Sequence, residues 1–323
     1  MKKALIIGIN NYPQKSLNYC ENDAIELSKI LKDNADKSPN FEIICKTKIQ
    51  SKAELKNLIS KLFNEGNNID ISLFYFSGHG YINELGGYIV TPDFQKYDEG
   101  VSMDEILSFA NQSASKNRII ILDCCHSGTM GSLNITNNIT IIKEGLTILT
   151  SCKASEYAVE INGHGVFTNL LIEALKGGAA DLRGNITPGS IYSYIDRSLG
   201  AWDQRPVFKT NITQFVSIRT TQPQVSIEII RKLCEYFTKP EDEIQLNPSF
   251  EFTNTLNYKN ELREPYGKQE KILIFKNLQK LTSIGLITPI NEEHMYFAAM
   301  NSKSCKLTPL GQYYWRLAKD GRI

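Results

Sequence analysis

The sequence predicts an α/β protein, with a mostly parallel sheet flanked by helices over residues 1–219 and a smaller α+β domain over residues 220–323. Short apolar runs of buried-strand length recur in the first part, each followed by a loop and a stretch with helical apolar spacing. Strands alternating with helices build parallel sheets covered on both faces. After Arg219 the alternation stops, and Thr220-Thr221-Gln222-Pro223 reads as a linker.

The elements follow in order. Residues 3–9 read as a buried strand, and Asn22 or Asp23 can cap a helix through Leu31, with Ala24, Leu27, Ile30 and Leu31 on one face. Residues 41–45 supply a second strand, and 52–63 a helix with Leu55, Leu58, Ile59 and Leu62 inward. Strands over 69–76 and 118–122 are separated by a helix near 103–110. A fifth strand covers 146–150, helices cover 166–175 and 187–199, and 206–218 is extended. In the second domain, 268–284 is an amphipathic helix ending at Gly285, 286–289 and 295–299 are able to pair as a hairpin, and 308–317 is a final helix. This pattern, with Leu-Thr-Pro-Leu-Gly opening the last helix, resembles a winged-helix domain over about the last 55 residues.

Composition narrows the class. The chain has 323 residues, 41% hydrophobic and 22% charged, as in soluble globular proteins. Lys and Arg total 36 against 35 Asp and Glu, so no bulk field draws nucleic acid or acidic lipid. No apolar run is long enough to span a bilayer, and the run after Lys2-Lys3 ends at Asn10-Asn11 with no cleavage site, so a cytoplasmic location is expected. Seven cysteines with no CxxC pair argue against a disulfide framework and a structural zinc site.

Two segments carry chemistry. Ser77-Gly78-His79-Gly80 ends the third strand, and Asp123-Cys124-Cys125-His126-Ser127-Gly128 ends the fourth. In an open parallel sheet, loops at the carboxyl ends of the strands converge on one crevice. A histidine past one strand can therefore meet a cysteine past its neighbour, and a thiolate near neutral pH needs such a base. Strand alternation sets Asp123 and Cys125 on one side, as it does Ser77 and His79, and turns Cys124 toward the apolar layer. Zinc held by Cys124, Cys125, His126 and His79 is the metal alternative, but adjacent cysteines rarely converge on one ion, so no metal is expected.

These segments resemble the caspase-like cysteine peptidases, and the metacaspase and paracaspase branch more than animal caspases. The match extends to Gly8-Ile9-Asn10-Asn11-Tyr12, Leu17-Asn18-Tyr19-Cys20-Glu21-Asn22-Asp23-Ala24 and Gly165-Val166-Phe167-Thr168, covering roughly residues 1–219. The resemblance implies a caspase-like fold, with His79 as general base and Cys125 as nucleophile, 46 residues apart. It further implies an oxyanion hole from the backbone amides of Gly80 and Cys125, and a pocket lined by Cys20, Asp23, Ser77 and Asp123. Two carboxylates in one pocket favour a cation, so cleavage after Arg or Lys is expected. Asp23 capping its helix and Asp123 merely holding a loop are the structural alternatives.

The resemblance also raises calcium, which activates several metacaspases. Asp93, Asp98, Glu99 and Asp104 offer oxygen ligands, but nothing acidic follows His126 for 15 residues, so no cofactor is expected and calcium is doubtful. In the family, the stretch corresponding to residues 129–145 is where cleavage separates large and small subunits. Lys143 is its lone basic residue, so a basic-specific enzyme can cut itself there, or the loop stays uncut. The expected partners are protein substrates with Arg or Lys before the scissile bond, and an activating sensor or partner docked by the second domain, as in stress, death or antiviral-defence modules. From residue 222 on, 14 Lys and Arg stand against 12 Asp and Glu, a weak footprint for DNA binding. The competing function is a catalytically silent caspase-like module, or a DNA-bound regulator acting through the winged-helix-like tail.

Overall fold

Runs such as Leu5-Ile6-Ile7 and Leu73-Phe74-Tyr75-Phe76 offer water no polar face, so they belong in strands covered on both sides. The structure is a computed structural model that describes residues 1–64, 68–83, 86–96, 98–125, 142–151, 160–161, 164–200, 206–258 and 262–323. It divides into two units, Met1–Gln222 and Pro223–Ile323.

The first unit begins with β1 (Lys2–Gly8), α1 (Cys20–Lys32), β2 (Glu42–Lys46), α2 (Lys52–Asn64), β3 (Ile71–Asn83), β4 (Gly86–Gln95) and β5 (Asp98–Ser102). It continues with α3 (Met103–Gln112), β6 (Asn117–Cys125), β7 (Leu146–Thr150), β8 (Glu160–Ile161), β9 (His164–Gly165) and α4 (Val166–Glu173), which runs into a π turn. The last elements are β10 (Asn185–Ile186), α5 (Pro188–Ser198), β11 (Val207–Asn211) and β12 (Arg219–Thr220). The main sheet has the order β11-β7-β6-β3-β1-β2. Its pairs are parallel except β11 with β7. Chain order reverses beside β1, with β2 on one flank and β3 on the other, which opens a crevice at the carboxyl ends of β1 and β3.

Two apolar layers hold the helices. Leu5, Ile7, Phe74, Phe76, Ile120 and Leu122 face α2 and α3 through Leu55, Ile59 and Ile106. Ala4, Ile6, Leu73, Tyr75, Ile119 and Ile121 face α1, α4 and α5 through Leu27, Leu171 and Ile191. At roughly 1.5–3 kcal/mol per fully buried large side chain, these contacts outweigh any helix propensity in fixing the helices.

The mostly parallel sheet flanked by helices agrees with the sequence reading, but several elements differ. Helix α1 starts at Cys20, with Tyr19 at its N-cap making no side-chain bond, so Asn22 and Asp23 sit inside the first turn and cap nothing. Strand β3 runs past Phe76 through the Ser-Gly-His-Gly segment and turns back on β4, which pairs with β5. Those strands are rich in Gly and acidic residues and show little alternation, so periodicity leaves them unseen. Only Val207–Asn211 of the extended segment is a strand in the main sheet.

The second unit contains α6 (Ile227–Arg231), α7 (Leu233–Tyr236), β13 (Glu243–Gln245), α8 (Gln269–Ser283), β14 (Ile287–Pro289), α9 (Met295–Met300), β15 (Ser304–Leu307) and α10 (Pro309–Lys319). An antiparallel sheet of order β13-β15-β14 joins them. The expected hairpin is corrected here. Residues 295–299 lie in α9, with Met295, Ala298 and Ala299 buried at helical spacing. Strand β14 pairs instead with β15, Ile287 opposite Leu307. A five-residue apolar run fits either period, and packing decides. Among the described residues no helix is long and apolar enough to cross a membrane, and Cys20, Cys45, Cys124, Cys234 and Cys305 are free thiols.

Candidate active site

The site begins where β1 gives way to α1. Gly8 stands in register with Ser77 of β3. A side chain at position 8 would run into the Cys20 carbonyl and come within 2.9 Å of Ala24 Cβ. Glycine thus lets the first turn of α1 close on the strand end, which brings buried Cys20 and Asp23 beside Ser77. On the other flank of β3, Ser77 pairs with Asp123, Gly78 with Cys124 and His79 with Cys125. Backbones paired in this way lie about 4.8 Å apart.

His79 is fully buried. Its Nε2 lies 2.7 Å from the Lys15 carbonyl oxygen. A carbonyl only accepts, so Nε2 carries the proton and the lone pair of the neutral ring sits on Nδ1. The Tyr12 ring lies against the imidazole at 4.5 Å between centroids, and its hydroxyl accepts from the His79 backbone N–H at 3.1 Å. Gly80 follows and opens the pairing with β4, opposite Ile89. The Cys125 backbone ends β6 beside His79. Its side chain, and the His126, Ser127 and Gly128 of the motif, lie outside the described residues.

The carboxylates converge from a helix and a strand, Asp23 from α1 and Asp123 from β6. Asp123 Oδ2 accepts from the Thr168 hydroxyl at 2.6 Å. Asp123 also accepts from the Thr168 backbone N–H in the first turn of α4, and from the Ser151 hydroxyl. With its hydrogen committed to Asp123, Thr168 Oγ1 accepts from the Tyr75 hydroxyl at 2.7 Å. Burial pushes the Asp123 carboxyl above its usual range despite these donors. Ser77 donates to Asp23 Oδ2 at 3.3 Å. The Cys20 thiol is pushed up to about 12, first by burial and then by the charges of Asp123 and Asp23, against a hydrogen bond with Ser77. The four residues named for the pocket, Cys20, Asp23, Ser77 and Asp123, therefore share one buried place. Thr168, Tyr75 and Gly165 were given no role from sequence. The signal for two of them was the Gly-Val-Phe-Thr motif, and Tyr75 stands two residues before Ser77 on β3.

Other residues fall elsewhere. Cys124 belongs to the opposite apolar layer, and burial raises its thiol well above the usual range. Lys143 sits in a turn, its N–H bonded to Asn111 Oδ1 at 2.9 Å and its carbonyl accepting from Leu146 N–H at 3.2 Å. Leu146 pairs with Arg118 at the start of β6, seven residues before Cys125, or about 23 Å at 3.3 Å per residue. Lys143 and the His79–Cys125 pair thus lie at opposite ends of the sheet; residues 129–141 are outside the described residues. Asp93 accepts from Thr91 and from Lys52 N–H, and Asp98 pairs with the Lys52 ammonium at 2.7 Å. Among the described residues no group of three His, Cys, Asp or Glu could hold a metal ion.

Residues 1–225 match the family model described as the caspase domain. The chain belongs to the caspase family. Its fold is similar to the crystal structure of protein GSU0716 from Geobacter sulfurreducens, with a TM-score of 0.51 and 18% identity over 69% of this chain and 100% of that one. At that identity the likeness concerns the fold. No curated protein matches the chain in sequence. Membership of the caspase family makes this a peptidase-family protein whose relatives act on protein substrates.

Proposed function

We infer that this caspase-family protein is a cysteine endopeptidase that cleaves after Arg or Lys, with Cys125 as nucleophile and His79 as base. One observation carries the reading: Asp23 and Asp123 form a buried, hydroxyl-held pair of carboxylates, and Asp123 stands two register steps before the paired backbones of His79 and Cys125. A carboxylate raised in pKa by burial gains most from a cationic ligand, and an Arg or Lys side chain supplies one.

The chemistry follows from the histidine. Nδ1 takes the Cys125 thiol proton, and the sulfur attacks the carbonyl carbon of the substrate. The Lys15 carbonyl keeps the opposite ring nitrogen protonated and steadies the imidazolium as it forms. The Gly80 and Cys125 amides are assigned to hold the negative oxygen. His79 returns the proton to the leaving amine, then draws one from the water that releases the acyl group from sulfur.

The second unit is read as a winged-helix-like regulatory or docking domain. Its sheet order and the helix α8 ahead of β14 support this, although α9 stands where a β wing would be. Its near-balanced charge favours a protein partner over DNA. Free thiols suit the reducing cytosol.

A fluorogenic Arg-ended peptide, offered to wild type and Cys125→Ala, tests the reading. Hydrolysis by wild type that Cys125→Ala abolishes is the expected result. Failure of wild type on both Arg and Lys substrates, with and without calcium, would leave the silent interaction module as the function.

A further inference from the structure

We propose that Gly165 is a specificity-determining residue, whose missing side chain leaves the berth in which a substrate cation reaches Asp23 and Asp123 together. The inference rests on the peptidase reading for its substrate, but the berth itself is a matter of geometry. A Cβ built on Gly165 lies 3.3 Å from Asp123 Oδ2 and 4.0 Å from Asp23 Oδ2. Among the described residues beyond its chain neighbours, those two carboxylate oxygens are all that it meets within 4 Å. The direction in which any side chain at 165 would grow is therefore the gap between the two acids.

Backbone conformation does not demand glycine here. Gly165 is the N-cap of α4, with φ −63° and ψ 144°. Any residue adopts those angles, and Ser, Thr, Asn or Asp would cap the helix better. The N-cap makes no side-chain bond, so α4 forgoes that cap at the mouth of the pocket. Space explains the choice. A charged hydrogen bond to a carboxylate needs a nitrogen at about 2.7–2.9 Å from oxygen. A methyl group touching both oxygens would stand where that nitrogen must go.

Arg and Lys respond differently. The guanidinium is a flat fork that can bond both carboxylates at once, whereas the ammonium is compact and reaches either from the side. Gly165→Ala should therefore lower kcat/KM for an Arg substrate about 100-fold and for a matched Lys substrate about 10-fold, within the range that one added carbon commands in a filled pocket.

The test compares wild type and Gly165→Ala in three measurements: hydrolysis of matched Arg and Lys peptides, binding of agmatine by calorimetry, and iodoacetamide labelling by site. Agmatine carries the guanidinium without a scissile bond. Labelling confined to cysteines other than buried Cys20 and Cys124 certifies the fold. The expected result is loss of agmatine binding and the stated fall in hydrolysis, with the labelling pattern unchanged. Hydrolysis within threefold of wild type overturns the proposal. So does new labelling of Cys20 or Cys124, because a methyl that meets only two oxygens should not disturb the core. Wild type that hydrolyses neither peptide yet binds agmatine, with binding lost in Gly165→Ala, would sink the peptidase reading and keep the berth. Absence of both hydrolysis and agmatine binding in wild type would overturn both.

Discussion

Thr168 donates to Asp123 at 2.6 Å across 45 residues of chain, and the pair is fully enclosed. Tyr75, on the strand beside Asp123, completes the chain of hydroxyls. Replacing Thr168 by Val keeps the shape and removes the donor from a buried carboxylate. The expected loss is about 1–3 kcal/mol in urea unfolding, since an unsatisfied buried acceptor bears its full desolvation cost. KM for an Arg peptide should rise more than kcat falls, because the hydroxyl orients the pocket and touches no reacting atom.

Asp123 also predicts a pH dependence. Burial raises its carboxyl above the usual aspartate range, so the folded state binds the proton more tightly than the unfolded chain. Unfolding free energy contributed by this group then falls as pH rises from about 3.8 through the raised value, and levels off above it. In thermal melts of ligand-free protein, wild type should lose ground to Asp123→Asn across that window. Equal slopes for the two proteins would refute this. A bound guanidinium ligand should flatten the wild-type curve, because it stabilises the ionised form.

The position of Lys143 makes a kinetic prediction. The turn holding it lies at the opposite end of the sheet from His79, so one molecule cannot present that bond to its own site without unfolding β7. Any cleavage after Lys143 is therefore expected between copies. The fractional rate should rise in proportion to protein concentration, and wild type should cut added Cys125→Ala protein. A rate per molecule that ignores dilution would show cleavage within one chain.

Thiol reactivity should separate the cysteines of the site. Cys20, pushed up to about 12, and Cys124, raised well above its usual range, remain protonated and buried at neutral pH. Iodoacetamide at neutral pH should label Cys125 well before either, as read by peptide mass spectrometry over time. Equal labelling of Cys124 and Cys125 would remove the distinction between nucleophile and packing thiol.

Gly8→Ala tests how the site is assembled. The added carbon would meet the Cys20 carbonyl and Ala24 Cβ, an overpacking that costs typically about 1–3 kcal/mol. Loss of stability should be accompanied by loss of Arg-peptide binding, because α1 would have to withdraw Cys20 and Asp23 from the pocket. Unchanged stability would mean that α1 does not depend on that close approach.

Much of the sheet was legible because a strand buried on both faces writes itself as an unbroken apolar run, as in β1, β3, β6 and β7. The hairpin of β4 and β5 was not, since its Gly-rich strands owe their pairing to β3 rather than to their own pattern. Helix α9 was misread for the opposite reason: five apolar residues satisfy either period, and only burial against the second unit's core selects the helix.

The residue order alone determined the alternation of strands and helices and the two motifs at neighbouring strand ends, because both are local patterns of side-chain chemistry. Tertiary structure decided the rest of the site: that the Lys15 carbonyl meets His79 Nε2, that Thr168 and Tyr75 brace Asp123, and that Gly165 faces both acids. Those contacts join residues from 42 to 142 positions apart. Strand order and helix placement bring them within bonding distance, and no local rule encodes either.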